Sequence, residues 1–235
     1  MIYITGDTHR SESDFHDILE FCELYETTKD DFMIITGDVG VNYFMDHSDS
    51  EIKNWLESFP ITFLMVRGNH EERPENIPWY ELTHIERDNF EGDVFIEEGY
   101  PSLLFADNGL IRIEDKTFYV INGAYSVDKY VRIGWGMEWF EDEELFDWEM
   151  DKIREEIKDI DHVDAVLSHT CPKKYIPHEA KIPGFDQSTI SHLMEDFLDE
   201  VEDKLNYDTW YCGHWHIDKQ EGDMVFLYNE IMEVE

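Results

Sequence analysis

MIYITGDTH, residues 1–9, begins with a short apolar run rich in β-branched and aromatic residues and ends in a polar cluster. The same arrangement returns at the apolar runs FMIIT (32–36), ITFLMV (61–66), DAVLS (164–168) and TWYC (209–212). Between the runs, apolar spacing predicts helices over 13–26, 49–58, 142–159 and 187–204. Short apolar runs that alternate with amphipathic helices are typical of an α/β protein.

The middle of the chain follows another pattern. Its brief apolar runs are DVFIEE (93–98), SLLFAD (102–107), LIRIED (110–115) and TFYVI (117–121). Gly, Pro and Asn separate them, which favours antiparallel hairpins over crossover connections. Since we find no repeat, low-complexity tract or Gly/Ser linker, the sequence predicts one domain over residues 1–235.

The chain is strongly acidic, with 56 Asp and Glu against 18 Lys and Arg and a formal net charge of −38. Such a surface repels polyanions, which argues against duplex nucleic acid as a partner. A solvated shell explains the acidity better than mimicry of nucleic acid. The three cysteines form no CxxC pair, and the N-terminus lacks a basic region before a long apolar one, so we expect a cytoplasmic protein without a membrane span.

Polar clusters follow all five strands of α/β type: GDTH, GDVG, RGNH, HT and CGHWH. Ligands of open α/β sheets bind at the carboxyl ends of the strands, so one shared site is expected. Its candidate metal ligands are Asp7, His9, Asp38, Asn69, His169, His214 and His216. Carboxylate, amide and imidazole ligands without thiolate suit Mn, Fe or Zn, and seven exceed the needs of one ion. Two ions about 3.5–4 Å apart would suit attack at phosphorus.

Two simpler interpretations stand beside this one. Asp7 and Asp38 could serve only turns or helix caps after their strands. The spacing of His214 and His216 would point both rings to one face in a strand, whereas a turn after Gly213 could direct them to different ions.

The order GDTH, GDVG, GNHE, SHT and GHWH resembles the calcineurin-like metallophosphoesterases, whose pattern is GDxH, GDxxD, GNH[DE], H and GHxH. The resemblance extends from residue 5 to residue 216. GAYSVDKY (123–130), SHTCP (168–172) and WYCGHWHIDK (210–219) are similar to a bacterial and phage-type branch of metallophosphatases. The resemblance implies a four-layer α/β/β/α sandwich of two facing mixed β-sheets flanked by helices.

The resemblance also implies roles for single residues. Asp7, His9 and His216 would hold one divalent ion, and Asn69, His169 and His214 the other, with Asp38 bridging them. The ions would be Mn, Fe, Zn or Ni, with Mn the best suited to activity in vitro. A hydroxide between the ions would attack phosphorus. His70 would protonate the leaving group, steadied by Asp7 or Glu71.

The sequence departs from the family pattern at two positions. Val41 stands where the family often has Asp or Glu. This change puts in doubt a contact to one of the metal ligands, but it removes no ligand. Arg10 replaces a common Gly and would either grip the phosphate, together with Asn69, or face solvent. Most of the other cations near the motifs, namely Arg67, Arg73, Lys173 and Lys174, are expected to be ordinary surface residues.

Segment 124–149 carries three of the seven tryptophans, Trp135, Trp139 and Trp148. They could form a rim that recognises an aromatic part of a substrate, but we favour the interpretation that they anchor the segment to the core.

Three functions are compatible with these residues. The first is a phosphomonoesterase that acts on a phosphoprotein or a small phosphorylated molecule. The second is a phosphodiesterase that acts on a cyclic nucleotide or a nucleic-acid end. The third, a noncatalytic binding module, is disfavoured because every expected ligand and His70 are present. Nothing in the sequence indicates an oligomeric state.

Overall fold

The computed structural model describes residues 1–180 and 190–234. The helices of these residues are α1 (Glu12–Tyr25), α2 (His47–Glu57), α3 (Lys129–Trp135), α4 (Asp147–Glu156) and α5 (Leu193–Glu202). The strands are β1 (Ile2–Thr5), β2 (Phe32–Ile35), β3 (Thr62–Met65), β4 (Tyr80–Arg87), β5 (Phe90–Glu97), β6 (Leu103–Ala106), β7 (Gly109–Ile113), β8 (Lys116–Ile121), β9 (Val163–Ser168), β10 (Tyr207–Cys212), β11 (Lys219–Glu221), β12 (Met224–Phe226) and β13 (Met232–Glu233). In this part of the chain, no helix combines the length and the apolar character needed to cross a bilayer.

The strands form one hydrogen-bonded mixed sheet in the order β11-β12-β10-β9-β8-β7-β5-β6-β3-β2-β1-β13, with β4 paired to β5. Two groups of parallel strands lie within it, β6-β3-β2-β1 and β8-β9-β10-β12. Antiparallel pairs of β5 with β6, β5 with β7 and β7 with β8 join the two groups. The sheet therefore has two sets of parallel carboxyl ends at which a site can form.

The sheet is curled, and its inner face holds a core made of strand residues. Ile4 and Ile34 from the first parallel group belong to the same buried cluster as Val120 and Leu167 from the second. On the outer face, α1 and α2 pack over β1, β2, β3 and β6, whereas α4 and α5 pack over β8, β9, β10 and β12. The result is a mixed α/β fold in which helices flank a large curled sheet.

The structure confirms the five strands of α/β type and the helices near 13–26 and 49–58. The antiparallel middle is confirmed in part, because β6 and β8 also pair in parallel with β3 and β9. The helix predicted over 142–159 begins only at Asp147, since the carbonyls of residues 142–144 accept hydrogen bonds from two arginines. The helix predicted over 187–204 begins at Leu193, and residues 187–189 lie outside the described residues.

Candidate metal centre

Loops that follow five strands bring the predicted ligands together. Asp7 and His9 follow β1, Asp38 follows β2, Asn69 follows β3, His169 follows β9, and His214 and His216 follow β10. Because β9 and β10 belong to one parallel group and β1, β2 and β3 to the other, the site joins both halves of the sheet. The expectation of one shared site at the carboxyl ends is met.

Asp7, His9 and His216 form the first cluster. Asp7 Oδ2 lies 3.3 Å from His216 Nε2 and 3.9 Å from His9 Nε2. The Nε2 atoms of the two histidines are 2.8 Å apart. One ligand atom from each of the three residues lies within 4.8 Å of the other two. Ligand atoms on opposite sides of a cation with bonds of about 2.1 Å are separated by a similar distance. These three residues could hold a metal ion.

Asp38 lies between this cluster and a second group of side chains. Its Oδ2 atom is 3.8 Å from His9 Nε2 and 3.3 Å from His169 Nε2. His169 Nε2 is in turn 3.0 Å from Asn69 Oδ1, and His169 Nδ1 donates to the carbonyl of Thr36 over 2.8 Å. Asp7, Asp38 and His169 form another set of ligand atoms within 4.8 Å.

His214 and His70 are placed less simply. The His214 ring packs edge-on against His169 with centroids 5.0 Å apart, and its backbone N–H donates to the Asp7 carboxylate over 2.8 Å. The described residues form three groups of His, Asp, Glu or Cys side chains whose ligand atoms lie within 4.8 Å of one another. One group consists of His9, Asp38 and His70, and none of the three contains His214. The family resemblance implies that His70 is not a metal ligand. The positions of the side chains by themselves would allow His70 to be one.

Four of these residues have a left-handed backbone conformation. The φ angles are 46° at His9, 51° at Asp38, 67° at His214 and 50° at His216. Each such residue costs roughly 1–3 kcal/mol, and such strain clusters at functional sites. Both histidines of the GHWH motif therefore lie in a turn after β10, so the strand interpretation of their spacing is wrong, whereas their direction to different ions stays a prediction.

Glycines permit the close approach of the loops. A Cβ atom on Gly37, whose φ is 108°, would lie 2.0 Å from His169 Nδ1. A Cβ atom on Gly213 would lie 2.0 Å from Asp7 Oδ1. Any side chain at either position would push a candidate ligand out of place, which accounts for the glycines of the GDVG and GHWH motifs.

The electrostatics of the site fit a bound cation. Asp7 and Asp38 are each 1% exposed, and among the described residues their ion-pair partners are histidine rings alone. Burial of two carboxylates is costly without a cation beside them. Burial opposes a charge on His169, but the Asp38 and Asp7 carboxylates outweigh it and raise the pKa of His169 to about 9. The donor set therefore fits divalent metal.

Comparison of the sequence with known families agrees with this geometry. The sequence model of the calcineurin-like phosphoesterases matches residues 1–218. The chain belongs to this family. The family predicted from the motifs is thus confirmed, whereas the narrower bacterial and phage-type branch stays a prediction. A search of curated proteins finds no match.

Two solved structures match over most of their length. A protein of unknown function from Aquifex aeolicus is 12% identical, with 97% of this chain and 89% of that chain covered and a TM-score of 0.35. The phosphopantetheinyl hydrolase of Mycobacterium tuberculosis is 15% identical, with 97% of this chain and 87% of that chain covered and a TM-score of 0.43. At these identities and TM-scores, neither match bears on the substrate of this phosphoesterase.

His70 lies at the edge of the phosphoesterase centre with its Nε2 atom 3.9 Å from Asp38 Oδ2. Within the described part of the chain, the His70 ring makes no ion pair or hydrogen bond with Asp7 or Glu71, so the expected support from those carboxylates is not seen. Instead, Arg132 Nη2 lies 2.8 Å from His70 Nδ1 and 3.1 Å from His70 Nε2. Burial and the adjacent guanidinium lower the pKa of His70 to about 4, although Asp38 opposes the shift.

The other residues singled out by sequence fall in unexpected places. Val41 is buried in the outer core and takes no part in the site. Arg10 does not face solvent, because its guanidinium donates to the Asp49 carboxylate and the Gly40 carbonyl. Arg67 and Arg73 are 4% and 2% exposed, so the expectation that most of the four cations lie at the surface fails for these two. Lys173 and Lys174 pair with Asp196 and Glu202.

A cavity of about 1020 Å³ opens over the centre. Its wall includes His9, Asp38, Asn69, His70, His214 and His216 together with Arg10, Tyr43, Arg132 and Trp215. Trp135 and Trp148 are 78% and 66% exposed, so the interpretation of these two as core anchors is wrong. From segment 124–149, the cavity wall instead receives Val127, Asp128 and Arg132.

Sequence reasoning missed the residues that support the GNH loop. Arg132, carried on α3, contacts His70, while Ser126 accepts a hydrogen bond from Asn69 and donates to Glu143. No local pattern marks these positions as functional. The one available signal was the GAYSVDKY string, which contains Ser126 but gave no reason to single it out.

Glu71, next to His70 in the GNHE motif, is a fully buried carboxyl group. Its Oε1 atom accepts from the Gly40 N–H over 2.5 Å, whereas no described residue bonds to its buried Oε2. Burial, reinforced by the Asp38 carboxylate, raises the pKa of Glu71 from 4.5 to about 8. Between these values the unfolded chain releases this proton and the native protein keeps it, so stability falls as pH rises.

We therefore expect Glu71→Gln to lose less stability than the wild-type protein between about pH 5 and pH 8. The measurement is the thermal midpoint of metal-free protein across this range. Glu51→Gln, at a side chain that is 69% exposed, is the control and should follow the wild type. Parallel curves for Glu71→Gln and the wild type would show that Glu71 ionises normally in the folded protein.

Proposed function

We propose that this protein is a phosphoester hydrolase that depends on two divalent metal ions and acts most rapidly on phosphomonoesters. The observation that carries the proposal is the convergence of carboxylate, amide and imidazole groups from five loops around two buried carboxylates that lack a Lys or Arg partner in the described chain. Membership in the calcineurin-like phosphoesterases supports the hydrolase chemistry.

Asp7, His9 and His216 would hold one ion, and Asn69, His169 and His214 the other, with Asp38 shared between them. Two divalent ions, when bound, neutralise phosphoryl oxygens and lower the pKa of water so that it can attack phosphorus. The donor set suits Mn, Fe, Zn or Ni, and we propose Mn for assays in vitro.

The residues of the chain itself would bind the ester and manage its leaving group. His70 lies at the mouth of the cavity, next to Asp38, where it can donate a proton or a hydrogen bond to the departing oxygen. Arg132 keeps a guanidinium against the His70 ring, and its own position is fixed by Asp128, which accepts from its Nε over 2.9 Å. Arg10, which also lines the cavity, would complete the contacts to the phosphoryl group.

The preference for monoesters is supported by the cavity wall. A monoester dianion offers more negative charge and more terminal oxygens than a diester. Arg132 is only 8% exposed and reaches the wall beside His70, where a guanidinium would favour such an anion. The substrate would be a small phosphorylated molecule or a phosphoprotein.

We also propose that the curled sheet corresponds to the two facing sheets of a four-layer α/β/β/α sandwich, within one domain over residues 1–235. The inner core of strand residues and the helices on both outer faces support this description.

A substrate panel tests the function. With Mn²⁺ present, we expect p-nitrophenyl phosphate to be hydrolysed with a higher kcat/KM than bis-p-nitrophenyl phosphate. The panel should be repeated with Fe²⁺, Zn²⁺ and Ni²⁺, and chelation should abolish the activity. Faster hydrolysis of the diester would favour the alternative, a phosphodiesterase acting on a cyclic nucleotide or a nucleic-acid end. Metal binding without hydrolysis of either ester would favour a noncatalytic binding module.

A further inference from the structure

A chain of hydrogen bonds connects Asn69 with residues that no motif contains. Asn69 Nδ2 donates to Ser126 Oγ over 2.9 Å, and Ser126 Oγ donates to Glu143 Oε2 over 2.5 Å. The Ser126 backbone N–H also donates to Glu143 Oε1 over 3.0 Å. The three residues are 3%, 1% and 2% exposed, so bulk water does not compete for these bonds.

Glu143 determines the direction of the chain. Trp139 Nε1 donates to its Oε2 atom over 3.0 Å, and the Ser126 N–H occupies Oε1, so both oxygens already act as acceptors. Ser126 has a single hydroxyl proton, which it gives to Glu143. Its Oγ can then only accept a hydrogen bond from Asn69. The Asn69 amide must turn its NH₂ group to Ser126.

The opposite end of the amide faces the candidate metal centre. Asn69 Oδ1 lies 3.0 Å from His169 Nε2, which is itself 3.3 Å from Asp38 Oδ2. An amide oxygen can bind a cation, whereas an amide NH₂ group cannot, because it has only donors. A flipped Asn69 would therefore present the wrong group to an ion. A carboxylate at this position would not have this problem, because both of its ends are oxygen.

We propose that Ser126 and Glu143 are positioning residues that orient the Asn69 amide so that its oxygen faces a bound divalent ion. This inference rests on the proposed function, which puts an ion beside Asn69. Partners that orient metal ligands are commonly worth about 10–100-fold in metal affinity. Through these two residues, segment 124–149 would support the metal centre as well as line the cavity.

The first experiment is Mn²⁺ titration of Ser126→Ala by calorimetry, without any phosphoester. We expect the affinity for one of two ions to fall by about 10–100-fold and the affinity for the other to stay near the wild-type value. The matched control is Thr117→Ala, which removes a hydroxyl that donates to Asp164 over 2.6 Å at the start of β8, away from the centre. This control should bind both ions as the wild type does.

A double-mutant cycle separates orientation from general structural damage. In an Asn69→Asp background the ligand needs no orientation, so Ser126→Ala should change the Mn²⁺ affinity there by no more than about twofold. An equal loss in both backgrounds would overturn the proposal, and so would an unchanged affinity of Ser126→Ala in the native background.

Circular dichroism of the metal-free variants checks that they fold. If Ser126→Ala does not fold, Glu143→Gln takes its place, because a glutamine can also donate and so no longer dictates the direction of the Ser126 hydroxyl. It should cause the same selective loss, and equal weakening of both ions would contradict the proposal. The titrations contain no substrate, so the positioning role is judged by Mn²⁺ affinity alone. If the protein fails to hydrolyse phosphoesters, that result overturns the proposed function and not the positioning role.

Discussion

Asp38→Ala abolishes phosphoester hydrolysis if Asp38 is shared by two metal ions. The Asp38 carboxylate is 1% exposed and lies within 4 Å of ring nitrogens from His9, His70 and His169. Its removal takes away the group that stands between both predicted ligand sets. Loss of metal assistance worth several kcal/mol lowers kcat by on the order of 10³-fold or more. Bound metal should fall from two ions per chain toward one or none.

Steady-state kinetics and metal analysis of the same protein samples test this expectation. Asp164→Asn is the control, since Asp164 lies at the opposite end of β9 from His169 and its carboxylate accepts hydrogen bonds from Thr117. That variant should keep two ions and its activity. An Asp38→Ala protein that is fully active, or that retains both ions with unchanged affinity, would remove the bridging assignment.

His70→Asn should lower kcat by about 10²–10⁴-fold and leave metal content unchanged. The reason is that His70 lies beside the centre and would donate to the departing oxygen without holding an ion. The effect should depend on the ester. A p-nitrophenolate group departs readily without a proton, whereas an alkyl alcohol needs one, so the loss should be larger for an alkyl phosphate.

The measurements are kcat for both esters and metal stoichiometry. His84→Asn, at an exposed ring that pairs with Asp93 on the β4–β5 hairpin, is the control and should keep full activity. Loss of an ion from His70→Asn would make His70 a ligand, as its apposition to His9 and Asp38 allows. An equal loss for the two esters would argue against protonation of the leaving group.

The family, and the residues that meet at the candidate centre, could be predicted from sequence because their signals are local. Each ligand follows a short apolar strand within a few residues, and parallel strands bring such positions to one edge of a sheet. Asp7 and Asp38 illustrate this, since both were found next to their partners as the motif order predicted. The interpretation that they serve only turns does not explain why both are buried among histidines.

The support of the GNH loop could not be predicted in this way. Ser126 is 57 residues from Asn69, Arg132 is 62 residues from His70, and Arg73 is 76 residues from Glu149. A sequence pattern does not specify which distant polar groups meet, because hydrogen-bond partners depend on how complete elements pack. For the same reason the sequence does not reveal that Trp135 and Trp148 are exposed or that Arg67 and Arg73 are buried.

The sequence by itself determined which donor groups stand at the ends of the strands, since strand pattern, turn residues and ligand chemistry are properties of short stretches. Only the tertiary structure decided how those groups are turned and held. Ser126, which contacts the Asn69 amide, and Arg132, whose guanidinium contacts His70, both belong to segment 124–149, which reaches the loop after β3 through long-range packing. A ligand's identity is local, whereas its orientation depends on neighbours that folding brings together.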